Sequence, residues 1–197
     1  MAQRQDTVSG TDGKPRCGWA SADPLYEKYH DTEWGRPLKD DRALFELLTL
    51  EGCQAGLSWI TVLRKREHYR KVYDGFDPEK IARYTPAKLK KLLADPGIIR
   101  HRGKIDASVS NAKAFLALVE REGSFAKFLW SFVDGKPKKN RPKSLKDVPT
   151  KSPESDAMAK ALQKAGFKFV GSTICYAFMQ ASGMVDDHVV GCHRHKE

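Results

Sequence analysis

This 197-residue sequence contains no apolar run approaching the roughly 18 residues that a membrane-spanning helix needs. Its first residues, MAQRQDTVSGTDGKPR, lack the apolar core of a secretory signal. They are polar and contain glycine, so residues 1–16 are expected to form a disordered tail. Cysteine is scarce, with only Cys17, Cys53, Cys175 and Cys192. A chain of this length does not need disulfides and nothing directs it out of the cell, so these are expected to be free thiols or metal ligands. Clean strand alternation is rare, and there is neither an internal repeat nor a long block of one charge. Acidic residues are outnumbered, 25 against 35 Lys and Arg, giving a formal net charge of +10. A surplus of that size suggests a polyanionic partner, nucleic acid first, although a merely basic surface has the same composition.

Helical periodicity dominates. Asp40 or Asp41 caps a helix through ALFELLTLEG, and Ser58 begins a second through WITVLRKREHYRKVY. Thr85-Pro86 supplies a cap and a first-turn proline to KLKKLL. Ile105, Val109, Ala112, Leu116 and Val119 recur at helical spacing, and Ser124 starts a short helix through FAKFLWSFV. Residues 134–151 hold seven Lys or Arg, three prolines and no aromatics, and read as a solvated loop. SPESDAMAKALQKAG and the mostly buried GSTICYAFMQASG complete an all-α chain with one domain over 17–192 and a short tail over 193–197.

Three constellations bear chemistry. Cys17 and His30 near the start, with His188 and Cys192 near the end, offer two thiolates and two imidazoles, the donors of a closed tetrahedral zinc site. His193 and His195 are rivals within the same tail, and buried cysteines beside surface histidines are the ordinary alternative. Glu51 follows Leu44, Leu47 and Leu48 at i+7, i+4 and i+3, so its carboxylate points where the leucines point. It is either a core carboxylate held by an arginine or backbone amides, or a pocket group that meets a polar or cationic ligand. Trp19, Tyr26, Tyr29, Trp34 and Trp59 form an aromatic concentration that suits a core, or a cage for a cationic aromatic base. DPGIIRHRGKI adds a tight turn at Pro96-Gly97 followed by Arg100, Arg102 and Lys104. Its amides and cations can face a phosphate backbone.

Taken together, CGWASADPLYEKYHDTEWGRP, LFELLTLEGCQAGLSWITVLRKRE, GIIRHRGKI, WSFV and GFKFVGSTICYAFMQASGMVDDHVVGC resemble the 3-methyladenine DNA glycosylase I family, within the helix-hairpin-helix repair glycosylases. The resemblance runs from Cys17 to Cys192. It implies a helix-hairpin-helix glycosylase fold in a cytoplasmic, monofunctional enzyme, expected to be a monomer. It also implies structural zinc on Cys17, His30, His188 and Cys192, a pocket carboxylate at Glu51, and Tyr29 and Trp59 beside it, with Trp19, Tyr26 and Trp34 nearby. The implied reaction is hydrolytic removal of 3-methyladenine from double-stranded alkylated DNA by base flipping, with the free base as product ligand and an abasic site left behind. No lysine is placed to argue for a lyase step. The competing classes are a broader alkyl-purine glycosylase and a non-catalytic, zinc-clasped DNA-binding module. The extension before Cys17 is long for the family and the tail after Cys192 is short and histidine-rich.

Overall fold

The helices begin where the sequence supplies caps. The computed structural model describes residues 5–20 and 23–196, and the described chain is mostly helical. Asp23 caps α1 (Pro24–Thr32) and Asp40, through the Ala43 amide, caps α2 (Asp41–Gln54). Ser58 precedes α3 (Trp59–Val72) without a side-chain cap bond, and Asp77 caps α4 (Pro78–Ala82). Thr85 caps α5 (Pro86–Ala94), His101 caps α6 (Arg102–Glu122) and Ser124 caps α7 (Phe125–Trp130). Ser152 caps α8 (Pro153–Lys164), and Gly171 leads into α9 (Ser172–Ala181). Of the two aspartates offered for α2, Asp40 is the cap. Asp41 instead accepts from Ser124 Oγ and from the Phe125 and Ala126 amides, tying the start of α2 to the start of α7.

One core is built from Leu44, Phe45 and Leu48 of α2, Ile105, Phe115 and Leu118 of α6, Met158 and Leu162 of α8, and Phe178 and Met179 of α9. Each such side chain contributes about 1.5–3 kcal/mol through burial. The face of α6 differs from the expected stripe. Ile105 and Ala112 are buried, but Val109, Leu116 and Val119 lie on its flank, and Ala107, Ser108, Asn111, Ala114, Phe115 and Leu118 complete the buried side. The reason is that α6 packs against α4, α5 and α7 at once, so more than one stripe is covered. A smaller cluster gathers Cys17, Tyr29, Trp34, Leu63, Ala181, Val189 and Cys192 where the two ends of the chain meet.

Two small β elements interrupt the all-α reading. β1 (Thr7–Ser9) and β2 (Pro15–Cys17) form an antiparallel hairpin, and β3 (Lys138–Lys139) pairs in parallel with β4 (Val185–Asp186). The expected disordered tail is therefore corrected over residues 5–16; residues 1–4 lie outside the described residues. The hairpin is held by charge rather than by apolar area. Arg16, only 3% exposed, bridges Asp12 at 2.7 Å and Asp31 at 2.6 Å, while the Thr11 amide and hydroxyl donate to Glu27. The basic loop is also less solvated than its composition suggests. Residues 134–141 are exposed, but Pro142 is buried and Ser144 and Asp147 form a capping box. No helix among the described residues is long and apolar enough to cross a membrane.

Candidate active site and metal cluster

The last turn of α2 carries Glu51 into a cavity of about 1280 Å3. Tyr26 and Tyr29 of α1, Trp34, and Trp59 at the start of α3 line the same cavity, as does Trp19 from the segment after β2. All five aromatics named from the sequence thus converge with the carboxyl. Trp59 and Tyr29 lie 5.6 Å apart between ring centroids, and Trp19 meets Tyr26 at 5.1 Å and Trp34 at 4.8 Å. Tyr29 and Trp34 are buried, whereas Trp19, Tyr26 and Trp59 are partly open.

Glu51 is 4% exposed, and among the described residues no hydrogen bond or ion pair reaches its carboxyl. Burial alone pushes its pKa from 4.5 up to about 8. The reading of Glu51 as a core carboxylate held by an arginine or by amides therefore has no partner to support it. The indole Nε1 of Trp59 is likewise buried without a hydrogen-bond partner among the described residues. One unsatisfied acid lies in a cavity walled by flat rings, one of which carries a buried, unsatisfied N–H; such a site suits a planar polar ligand. Burial, and then the nearness of Glu51, keeps the Tyr29 hydroxyl well above its ordinary pKa.

The cavity has walls that sequence reasoning missed. Gln5 and Asp6, which precede the N-terminal hairpin, and Thr7 at its start line it, as do Ser144–Lys146 and Val148–Thr150 of the basic loop. The Leu145 amide donates to Asp6 Oδ1 at 2.8 Å, joining the two segments. From α9 come Thr173, Tyr176 and Gln180. Tyr176 and Gln180 donate to buried Asp187 at 2.7 and 2.8 Å, and Asn140 adds a third donor at 2.8 Å. The i, i+4 spacing of Tyr176 and Gln180 was the available signal, hidden because α9 reads as a uniformly buried helix.

Beside the aromatic wall lies the cysteine and histidine cluster. Cys17, His30, His188 and Cys192 are all buried, and their donor atoms lie within 4.8 Å of one another. Cys17 Sγ is 3.6 Å from His188 Nδ1, and Cys192 Sγ is 3.5 Å from His30 Nε2 and 3.7 Å from His188 Nδ1. Metal bonds of 2.0–2.3 Å imply tetrahedral edges of about 3.3–3.8 Å, so the donor set fits a four-coordinate ion of the zinc type. His30 Nδ1 meets the Asp31 carboxylate at 2.8 Å, the arrangement that aims the opposite nitrogen at a metal. His193 and His195, the rival ligands, are engaged elsewhere: His193 Nε2 pairs with Asp31 at 3.0 Å and His195 Nδ1 with the His188 carbonyl at 2.9 Å.

The turn at Pro96-Gly97 joins α5 to α6, but two of its expected phosphate contacts are otherwise occupied. Lys104 is half-buried and its Nζ donates to the Cys53 and Ala55 carbonyls, both at 2.8 Å. It closes the C-terminal end of the helix that carries Glu51, where a cation is favoured by the unsatisfied carbonyls. The Gly97 amide donates to Asp95 Oδ1 at 2.7 Å, and a Cβ there would stand 2.3 Å from the His68 ring, so a larger residue would displace that ring from Asp95. Arg100 is exposed, and Arg102 is exposed with Asp106 at 3.2 Å.

With this geometry in place, comparison with known proteins is decisive. Residues 19–195 match the family model of methyladenine glycosylases. The chain belongs to the methyladenine glycosylase family. DNA-3-methyladenine glycosylase 1 of Escherichia coli K12 is 55% identical over 177 residues, covering 90% of this chain and 95% of that protein. The corresponding Haemophilus influenzae enzyme is 51% identical over 90% of this chain and 96% of its own length. Among solved structures, a 3-methyladenine DNA glycosylase I superposes with a TM-score of 0.89 at 59% identity, covering 90% of this chain and 98% of that one. The Staphylococcus aureus glycosylase I, whose structure concerns recognition of 3-methyladenine, gives a TM-score of 0.87 at 41% identity over 90% and 94%. The match to the methyladenine glycosylase family begins after the β1–β2 hairpin, so Gln5–Thr7 wall the cavity from outside the matched region.

Proposed function

We propose that this chain hydrolyses the N-glycosidic bond of 3-methyladenine in alkylated duplex DNA, releasing the base and leaving an abasic site. The observation that carries the reading is the unpartnered Glu51 carboxyl in an aromatic-walled cavity. The relatives named for the same activity support it. The α5–turn–α6 unit is read as a helix-hairpin-helix element that meets the phosphate backbone through Arg100, with Arg102 beside it.

The target atom lies inside the stack, so the nucleotide is extruded before chemistry. Methylation makes adenine cationic, which weakens pairing and turns the base into a good leaving group. Burial raises the Glu51 pKa to about 8 and so favours its protonated form before a base enters. A cationic base entering beside it restores the carboxylate, whereas neutral adenine offers no charge to do so. Trp59 and Tyr29 stack on the base, and the Trp59 N–H has a hydrogen bond to give. The bond from the sugar C1′ to the base breaks with its electron pair moving onto the base, neutralising the alkylation charge. Water adds to C1′ and its proton passes to solvent.

Cys17, His30, His188 and Cys192 are assigned to a structural zinc ion. Held by these four protein ligands, the ion would have no open position for chemistry and would fasten the two end segments together next to the cavity. Incubation of the protein with methylated DNA, followed by chromatography of the freed bases, tests the activity. Release of 3-methyladenine is expected. Release of 7-methylguanine at an equal rate supports the broader glycosylase instead, and no release of any base leaves only a DNA-binding module.

A further inference from the structure

We propose that Phe169 is an apolar DNA contact, presenting its ring beside the α5–α6 turn to the sugar and base surface of the duplex next to the extruded nucleotide. The inference rests on the reading of that turn as DNA-facing.

Phe169 stands at φ 58°, in the left-handed region that an aromatic residue avoids. Phe76 adopts nearly the same value, 57°, but is completely buried, so packing offsets its strain. Phe169 remains 39% exposed, and burial offers it no comparable compensation. Its backbone is fixed all the same. The buried Asn111 side chain of α6 donates to the Lys168 carbonyl at 3.0 Å and accepts from the Lys168 amide at 2.8 Å, clamping the peptide just before it.

The seat beneath the ring belongs to the hairpin. Phe169 meets His101 edge-on at 6.1 Å, and His101 is the residue that caps α6 by accepting from the Lys104 amide. Glycines lie on both sides. A Cβ at Gly103 would come 3.5 Å from Phe169 Cζ, and one at Gly52 would come 3.4 Å from its carbonyl oxygen. The residue is thus seated with its backbone against α2 and its ring against the start of α6, and it keeps part of its surface open to solvent. Exposed Arg100 and Arg102 flank His101 in the chain, and exposed Lys168 immediately precedes Phe169. A strained aromatic framed by cations matches the chemistry of a duplex edge, where phosphates surround apolar sugar and base faces. A second protein copy would bring the same cations against each other.

The test separates this contact from both the base pocket and the phosphate contacts. Phe169→Asn removes the ring while keeping a residue that tolerates positive φ. Binding is measured to a duplex carrying a tetrahydrofuran abasic-site analogue, across a salt series, and to free 3-methyladenine. The expected result is affinity for the duplex about tenfold weaker, the scale of one stacking contact, with an unchanged salt slope and unchanged free-base affinity. Phe169→Trp should bind the duplex as the parent does. Duplex affinity within twofold of the parent in Phe169→Asn would overturn the proposal, as would a flattened salt slope. Should that variant fail to bind free base, Phe169→Gly is the second reading, and loss of free-base binding there too makes Phe169 structural and ends the idea. Failure of the glycosylase reading shows up separately, as a parent protein that releases no base.

Discussion

Replacing Glu51 with glutamine should stabilise the free protein while weakening its grip on the base. The Glu51 pKa lies near 8 in the folded protein against an ordinary 4.5. A carboxyl raised by folding binds more protons folded than unfolded between those values, so its contribution to stability declines as pH rises from about 4.5 to 8 and then levels off. Holding it protonated at pH 7 costs up to about 3 kcal/mol. Glutamine keeps the shape without that cost. Glu51→Gln is therefore expected to raise the melting temperature at pH 7 by up to about 6–12 °C, more above pH 8, with the two proteins converging near pH 4.5. The same substitution removes the carboxyl's hydrogen bond to the base, worth about 0.5–1.5 kcal/mol for a neutral ligand, so affinity for free 3-methyladenine should fall roughly 2- to 12-fold. Thermal melts from pH 4.5 to 9 and a titration of free base followed by tryptophan emission measure both on one sample. A Glu51→Gln protein that melts below the parent at pH 7 and binds base normally would refute the assignment, because that is how a stabilising core carboxylate behaves.

Other consequences follow from the cluster and the hairpin. The purified protein should contain about one zinc per chain, and Cys17→Ala should lose the metal and destabilise by more than about 4 kcal/mol; metal analysis without zinc removes the assignment. Arg100→Ala should weaken binding to all duplex sequences alike and reduce the slope of log affinity against log salt by about 0.9, and Arg102→Ala by less because Asp106 already shares its charge; equal slopes in parent and Arg100→Ala would exclude that contact. Lys104→Met should leave the salt slope unchanged but destabilise by about 1–3 kcal/mol per orphaned carbonyl, a sign that distinguishes a helix clasp from a phosphate contact in a single denaturation experiment.

The sequence by itself determined what depends on neighbours along the chain. Capping residues followed by proline or by apolar steps of three and four placed α2, α3 and α5–α9, because a cap and its helix are separated by only a few residues. The direction of Glu51 could be read in the same way, since helical geometry alone puts it on the leucine side of α2. The two cysteines and two histidines could be named from donor chemistry and family resemblance, but that His193 and His195 stand aside depends on where Asp31 and the His188 carbonyl lie. Tertiary structure alone decided the rest. Lys104 looks like any cation in a basic run until the end of α2, some fifty residues earlier, comes within reach of it. Residues 5–16 look too polar to fold; buried Arg16 holds them because Asp31, on another element, is there to receive it. Glu51 acquires its raised pKa not from any sequence neighbour but from walls contributed by α1, α3, α9 and both remote loops, which remove water from a carboxyl and give it no partner in return.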